Sequence, residues 1–221
     1  MSATEHAHRF PTYTETELLL DRCVHLIGVP AAMVTAVIMV RRADATGNER
    51  LLETLALYGV ALVTTLGLSA AYNLTMPGPR KEALRRADRA MIFAMIAASY
   101  TPYALNALEP GDGVALCSVA WLLAGIGIGL ELNFPRRFER AVMALYLLSG
   151  WLVLGLLPTF IDHLPAAALT LLLVGGVVLS AGAYIHSRHD MPYHNAVWHL
   201  LVLFGAGLHV HALFAAFLDG G

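Results

Sequence analysis

The chain has 221 residues, of which 57% are hydrophobic and only 14% are charged. This composition carries too much apolar surface for a soluble domain and indicates an integral membrane protein. The net charge of −2 gives no indication of a nucleic-acid partner, so we expect none, and we expect membrane lipids as partners.

Seven apolar runs are each close to the roughly 20 residues that a helix needs to cross a bilayer. They predict transmembrane helices over residues 23–40, 51–74, 90–108, 114–134, 141–160, 166–185 and 195–217. Because the connections are short, consecutive helices should be antiparallel neighbours. We therefore predict an all-α membrane protein with one domain, residues 1–221, in which a polar tail (1–20) precedes a seven-transmembrane-helix bundle.

The distribution of Lys and Arg predicts the orientation of the bundle. The N-terminal tail and the second, fourth and sixth connections carry eleven of these residues, and the remaining connections and the C-terminus carry three. Basic residues concentrate on the cytoplasmic side of membrane proteins. The N-terminus is therefore predicted in the cytoplasm and the C-terminus outside the cell (plasma) membrane. The most basic segment, 77–89, also favours anionic lipid headgroups.

With this orientation, polar side chains from three helices lie at one depth near the cytoplasmic face. They are Ser69, Asn73, Asp88, His194, Asn195 and His199. Within the second and seventh spans, Ser69 and Asn73, and likewise Asn195 and His199, are four residues apart and share a helix face. These positions predict a polar pocket inside the membrane, where ionisable residues usually serve a function.

A divalent ion in this pocket would use His199 as its best ligand, because neutral imidazole suits zinc. Asp88 would bind the ion directly or through water, and Ser69 would hold that water or a substrate carbonyl. Such a site is suited to amide or ester hydrolysis. Both residues also have purely structural interpretations. Asp88 could form an ion pair at the start of its helix. The Ser69 hydroxyl could donate a hydrogen bond to a carbonyl of its own helix.

Histidines elsewhere have simpler interpretations. His209 and His211 are two residues apart and cannot share a helix face, so at least one of them should make an interhelical hydrogen bond. We interpret His25 in the first span in the same way, as a secondary polar residue together with His209.

These residues resemble a known family, the bacterial hemolysin III branch of the progesterone and adipoQ receptor (PAQR) proteins. The resemblance extends through the chain, and its motifs are Asp21-x3-His25-x2-Gly28, Ser69-x3-Asn73, Asp88 with Ile92-Phe93, Ser99-Tyr100-Thr101-Pro102, and Asn195-x2-Trp198-His199 with Gly205 and His209. The Ser-Tyr-Thr-Pro stretch and the last block are the most specific. The resemblance implies seven helices and a cytoplasmic N-terminus.

The resemblance also implies a zinc ion near the cytoplasmic face, held by three histidines. In this chain those positions are Asn73, Asn195 and His199, so two of the three expected imidazoles are amides. The order Tyr193-His194-Asn195 inverts the family's Asn-His order and moves an imidazole about 100° around the helix. An amide oxygen is a weak zinc ligand, and zinc binding in the family's manner is therefore doubtful.

Three outcomes remain open for this pocket. His194 could replace the missing ligand and form a site with His199 and Asp88. The pocket could instead persist without metal as a lipid-binding or ligand-binding cavity lined by Asn73 and Asn195. A harder ion could also bind through oxygen atoms of Asp88, Asn73 and Ser69.

Three functions follow from these outcomes. The first is a metal-dependent intramembrane hydrolase of lipid amide or ester bonds, since the resemblance implies a relation to alkaline ceramidases. The second is a non-enzymatic sensor or binder of lipids or small molecules that has lost zinc. The third, a pore suggested by the family's name, has the least support, because no helix carries a continuous polar stripe.

Overall fold

The computed structural model describes residues 12–188 and 190–219. Throughout these residues the regular structure is helical, and they contain no β-strand. The all-α prediction is therefore confirmed. Arg9, one of the basic residues in the orientation argument, and residues 1–11 of the predicted tail lie outside the described residues, and the orientation stays a prediction.

Helix α1 spans Glu15–Ala45 and helix α2 spans Glu49–Leu74. The start of α1 is fixed by a capping box, in which Thr14 accepts a hydrogen bond from the Glu17 backbone and Glu17 accepts one from the Thr14 backbone. This cap places residues 15–20 in the helix. The last six residues of the predicted tail are therefore helical.

Helix α3 spans Pro79–Asn106 and helix α4 spans Pro110–Asn133. Each begins with proline, whose missing N–H costs nothing at the first helical position. Helix α3 starts eleven residues before the apolar run predicted at 90–108, so most of the basic segment 77–89 is itself helical.

The predicted fifth span is broken in the structure. Helix α5 ends at Gly150 (Glu139–Gly150), a 3-10 turn covers Leu152–Leu156, and helix α6 follows at Leu157–His163. The Tyr100 hydroxyl supports the break, because it donates to the Gly150 carbonyl at 2.6 Å and accepts from the Val153 amide at 3.3 Å. Apolar periodicity alone did not reveal this break.

Two further helices follow in the described residues, α7 over Ala166–Ser187 and α8 over His194–Phe217. Among residues 12–188 and 190–219, six helical segments are long and apolar enough to cross a membrane, with α5, the turn and α6 counting as one. Helix α3 is not among the six. Seven crossings therefore stay a prediction that depends on α3.

Neighbouring helices pack in the chain order predicted from the short connections. Pairs α1–α2, α2–α3, α3–α4 and α7–α8 pack extensively, α1 also packs against α8, and α5 makes few contacts with α7. Glycines allow close approach at some positions. A Cβ on Gly127 would overlap the Phe93 ring, and one on Gly175 would overlap the His209 ring, whereas one on Gly125 would meet nothing within 4 Å.

Candidate metal centre and cavity

A carboxylate and two imidazoles meet between the first and last helices. Asp21 and His25 lie four residues apart on α1, and His199 comes from α8; all three are buried. Asp21 Oδ1 lies 2.5 Å from His199 Nδ1, and Asp21 Oδ2 lies 3.6 Å from His25 Nε2. The two imidazole rings are 4.6 Å apart. We call Asp21, His25 and His199 the donor triad.

A hydrogen bond connects the N-terminal ends of α1 and α8, and it places the three triad residues at a similar depth in the bundle. Tyr193 has a left-handed backbone (φ 60°) and precedes α8. Its amide donates to Glu17 Oε1 at 2.7 Å, one turn before Asp21 on α1. Because both helices begin at this contact, Asp21 and His199 lie a similar distance into the bundle.

Amides surround the triad from α2 and α8. The Asn73 amide lies 3.5 Å from His199 Nε2 and donates to the Ser69 carbonyl at 2.9 Å. Asn195 donates to Asp21 Oδ1 at 3.3 Å and to Asn73 Oδ1 at 3.4 Å. The two asparagines therefore act as hydrogen-bonding neighbours of the donor triad.

Ser69 connects the triad with helix α3. Its hydroxyl lies 3.4 Å from His199 Nε2, and the Asp88 carboxylate lies beside it. The structure thus brings five of the six polar residues predicted at this depth together, namely Ser69, Asn73, Asp88, Asn195 and His199.

The sixth residue, His194, lies in a different neighbourhood. Its Nδ1 is 2.9 Å from the Met191 carbonyl, and its ring packs near Tyr13 and His186, at centroid distances of 5.7 and 6.3 Å. The compact group of metal-competent side chains in the described part of the chain contains His25 in place of His194. The five-residue offset from His199 accounts for this placement.

His209 makes the interhelical hydrogen bond expected for it. Its Nε2 lies 3.2 Å from the Leu172 carbonyl on α7. His211 is exposed, and its Nδ1 lies near the Gly207 carbonyl of its own helix. Neither residue belongs to the donor triad.

The sequence interpretation missed Asp21 as a candidate ligand and assigned His25 a secondary role. A signal was present, because an aspartate and a histidine four residues apart at the start of an apolar helix are costly in a membrane. Only the packing of α1 against α8 shows that both face His199.

The three histidine positions implied by the family do not suit zinc in this chain. Two of them hold Asn73 and Asn195, whose oxygens are weak zinc ligands. The donor triad fits better, since two imidazoles and a carboxylate are a usual zinc set and their ligand atoms lie within 4.8 Å of one another. In addition, His25 Nε2 is buried without a hydrogen-bond partner among the described residues.

The triad lies at the polar end of a cavity of about 930 Å³. Ser69, Asn73, Asp88 and Asn195 line the same end. The rest of the wall is mainly apolar and includes Leu62, Leu66, Ile92, Ile96, Val202 and Leu203. The cavity is therefore polar near the triad and mainly apolar elsewhere.

Fold and site together define a multi-pass helical membrane protein with a buried, metal-competent polar centre. The family model described as "Haemolysin-III related" matches residues 14–210. The chain therefore belongs to the haemolysin-III-related family, and the plasma membrane is its expected location.

The chain is also similar to individual proteins. The chain is 29% identical to Hemolysin-3 of Bacillus cereus over 93% of each chain. It is 28% identical to a Hemolysin-3 homolog of Bacillus subtilis (strain 168) over 88% of this chain and 91% of the relative. It is 26% identical to the human Monocyte to macrophage differentiation factor over 71% and 67% of the two chains.

Proposed function

We propose that the protein is a metal-dependent intramembrane hydrolase of lipid amide or ester bonds, and that Asp21, His25 and His199 hold the ion. The observation that carries this proposal is the position of the donor triad. A carboxylate and two imidazoles form the polar end of a large cavity whose other walls are mainly apolar.

Asp21 prepares the triad for a metal in two ways. An ionised carboxylate only accepts hydrogen bonds, so its contact with His199 places the N–H on Nδ1 and leaves Nε2 with a lone pair. Carboxylates orient metal-binding histidines in this manner in other proteins. The second oxygen, Oδ2, faces His25.

Asp88 would act on the attacking water, and Ser69 would bind the substrate. A bound zinc ion would act as a Lewis acid and lower the pKa of water at the site. In this proposal Asp88, which lies beside the Ser69 hydroxyl, would take a proton from the attacking water, and Ser69 would donate a hydrogen bond to the substrate carbonyl. The apolar wall beyond them would hold the acyl chain.

The test is acyl release by the purified protein in nanodiscs, measured by mass spectrometry on a short-chain ceramide and on matched ester lipids. Zinc-loaded protein should release the acyl chain, and a chelator should stop release. Asp88→Asn should lower the rate by at least about 100-fold, the usual loss when a general base is removed. The exposed Asp44 offers a matched control, and Asp44→Asn should keep the rate.

Absence of turnover in folded, zinc-loaded protein across both lipid classes would contradict the hydrolase. A rate unchanged by Asp88→Asn would contradict the role given to Asp88.

The amides at Asn73 and Asn195 favour a second function, a non-enzymatic sensor or binder of lipids or small molecules that has lost zinc. The variant carrying Asn73→His and Asn195→His distinguishes the two. If zinc has been lost, the parent holds none and the double variant gains it. If the donor triad binds zinc, the parent already holds the ion.

A further inference from the structure

Two tyrosines line the cavity at the end where α1 begins and α2 ends. Tyr13 directly precedes the capping residue of α1, and Tyr72 lies in the last turn of α2. Both side chains are partly buried. In the described part of the chain, neither hydroxyl forms a hydrogen bond. We call Tyr13 and Tyr72 the tyrosine pair.

The tyrosine pair borders the candidate metal centre from two sides. Burial raises the pKa of Tyr13, and the neighbouring Tyr72 and the Asp21 carboxylate raise it further. Tyr72 in turn lies close enough to Asp88 for the charge of that carboxylate to act on it. The pair therefore lies near Asp21 on α1 and near Asp88 on α3.

Anchoring at the membrane interface does not account for the tyrosine pair. A tyrosine that anchors a protein in this way lies on the outer surface, with its hydroxyl at the level of the headgroups. Tyr184 fits that description, since it is 61% exposed and its hydroxyl accepts a hydrogen bond from Arg188 at 3.0 Å. Tyr13 and Tyr72 instead line the inside of the bundle.

Several other hydroxyls in the cavity wall are used by the protein itself. Thr65 and Ser99 donate to main-chain carbonyls of their own helices at 2.7 and 2.8 Å, and Tyr100 donates to the Gly150 carbonyl. A phenolic hydroxyl can both donate and accept. The tyrosine pair thus keeps its donors and acceptors for water or for a ligand in the cavity.

The order of residues along α2 places Tyr72 on the headgroup side of the proposed reaction site. Leu62, Leu66, Ser69 and Tyr72 all line the cavity at intervals of three or four residues. Tyr72 is therefore about one helical turn beyond Ser69, roughly 5 Å along the axis, and the leucines lie on the other side. A lipid whose acyl chain contacts the leucines and whose ester or amide bond lies at Ser69 would bring its headgroup to Tyr72.

The charges around the cavity favour an uncharged headgroup. Among the described residues, five basic and four acidic side chains line the cavity. Glu82 and Glu131 supply two more carboxylates from beside it, because they pair with Arg85 and Arg89 at 3.1 and 2.9 Å. Acidic side chains thus balance the basic ones, so recognition of the headgroup falls to neutral donors and acceptors.

We propose that the tyrosine pair binds hydroxyl groups of an uncharged lipid headgroup whose ester or amide bond lies at Ser69 and Asp88. This inference rests on the proposed function and narrows its substrate class to lipids in which the acyl group is carried by a hydroxylated alcohol or amine. A headgroup hydroxyl suits the pair because it can accept from one phenol and donate to the other.

The experiment compares two uncharged lipids with the same acyl chain, a monoacylglycerol and the fatty acid methyl ester. The first carries two free hydroxyls and the second carries none. Equilibrium binding is measured with zinc-free protein in uncharged detergent micelles. The parent should bind the monoacylglycerol about ten-fold more tightly, as expected for two hydrogen bonds between neutral groups.

Tyr13→Phe and Tyr72→Phe should each remove part of this preference, and the double variant should remove most of it. Binding of the methyl ester should stay unchanged in all three variants. Tyr58→Phe is the matched control and should keep the full preference. Tyr58 lies on α2 and lines the same cavity 14 residues before Tyr72, and its buried hydroxyl has no hydrogen-bond partner among the described residues.

Equal binding of the two lipids by the parent, or a preference that survives in the double variant, would contradict the inference. An equal loss of methyl ester binding in the double variant would also contradict it, because the hydroxyls would then support the cavity and not the headgroup.

The proposed function can fail separately, because acyl release is measured with zinc-loaded protein on the same two esters. A preference for the monoacylglycerol without any release supports the tyrosine pair and counts against the hydrolase. Release from both esters without a preference in binding does the reverse.

Discussion

At the residue scale, Asp21 connects the side chains of the candidate site. Its two oxygens contact His199, His25 and Asn195, which come from both ends of the chain. Inside a membrane an ionised carboxylate without such partners would be strongly disfavoured. The surrounding imidazoles and amides therefore account for an aspartate in an apolar helix, and a bound cation would stabilise it further.

Tyr100 and Tyr103 allow a matched test of one hydroxyl. Tyr100→Phe should lower the free energy of unfolding by about 1–2 kcal/mol, because the Gly150 carbonyl and the Val153 amide would lose their partner. Tyr103→Phe removes a buried hydroxyl that has no hydrogen-bond partner among the described residues and should be nearly neutral. Unfolding by SDS titration measures both, and equal losses would contradict this account of the broken fifth span.

At the element scale, Glu82 joins α3 to the connection between α4 and α5. Burial raises the pKa of the Glu82 carboxyl, but hydrogen bonds and charge from Arg136 and Arg85 outweigh burial and hold it at about 2. Glu82 precedes the apolar run predicted to cross the membrane. Because its folded pKa lies below the ordinary 4.5, its contribution to stability is present above pH 4.5 and is lost as the pH falls towards 2.

The melting temperature of metal-free protein in detergent should therefore fall between pH 5 and pH 3. Glu82→Gln should lower the melting temperature at pH 5 by roughly 5 °C and flatten its dependence on pH. Glu53 is exposed on α2, and Glu53→Gln should retain the parent's pH dependence. An unchanged pH profile in Glu82→Gln would show that this ion-pair group does not join the two elements.

At the scale of the whole molecule, most of the fold could be predicted from the sequence. Apolar runs of membrane-spanning length locate the helices, because a lipid environment leaves few alternatives to a continuous helix. The break after Gly150 could not be predicted this way, since it depends on a hydroxyl from α3. The start of α1 depends on the cap at Thr14, which lies outside the apolar pattern.

The candidate site was predicted less completely than the fold. Counting membrane depth grouped Ser69, Asn73, Asp88 and Asn195 with His199, and in the structure these side chains lie near one another. It could not place α1 against α8, because these helices are far apart in sequence and only packing brings them together. Asp21 and His25 were therefore not grouped with His199, and His194 was offered as a ligand.

Zinc content tests the central claim of the account most directly. Elemental analysis of protein purified at neutral pH should give about one zinc per chain for the parent and for His194→Ala. Asp21→Asn and His25→Ala should retain far less, because each removes a member of the donor triad. A folded parent without zinc, or loss of zinc in His194→Ala with retention in His25→Ala, would contradict the site.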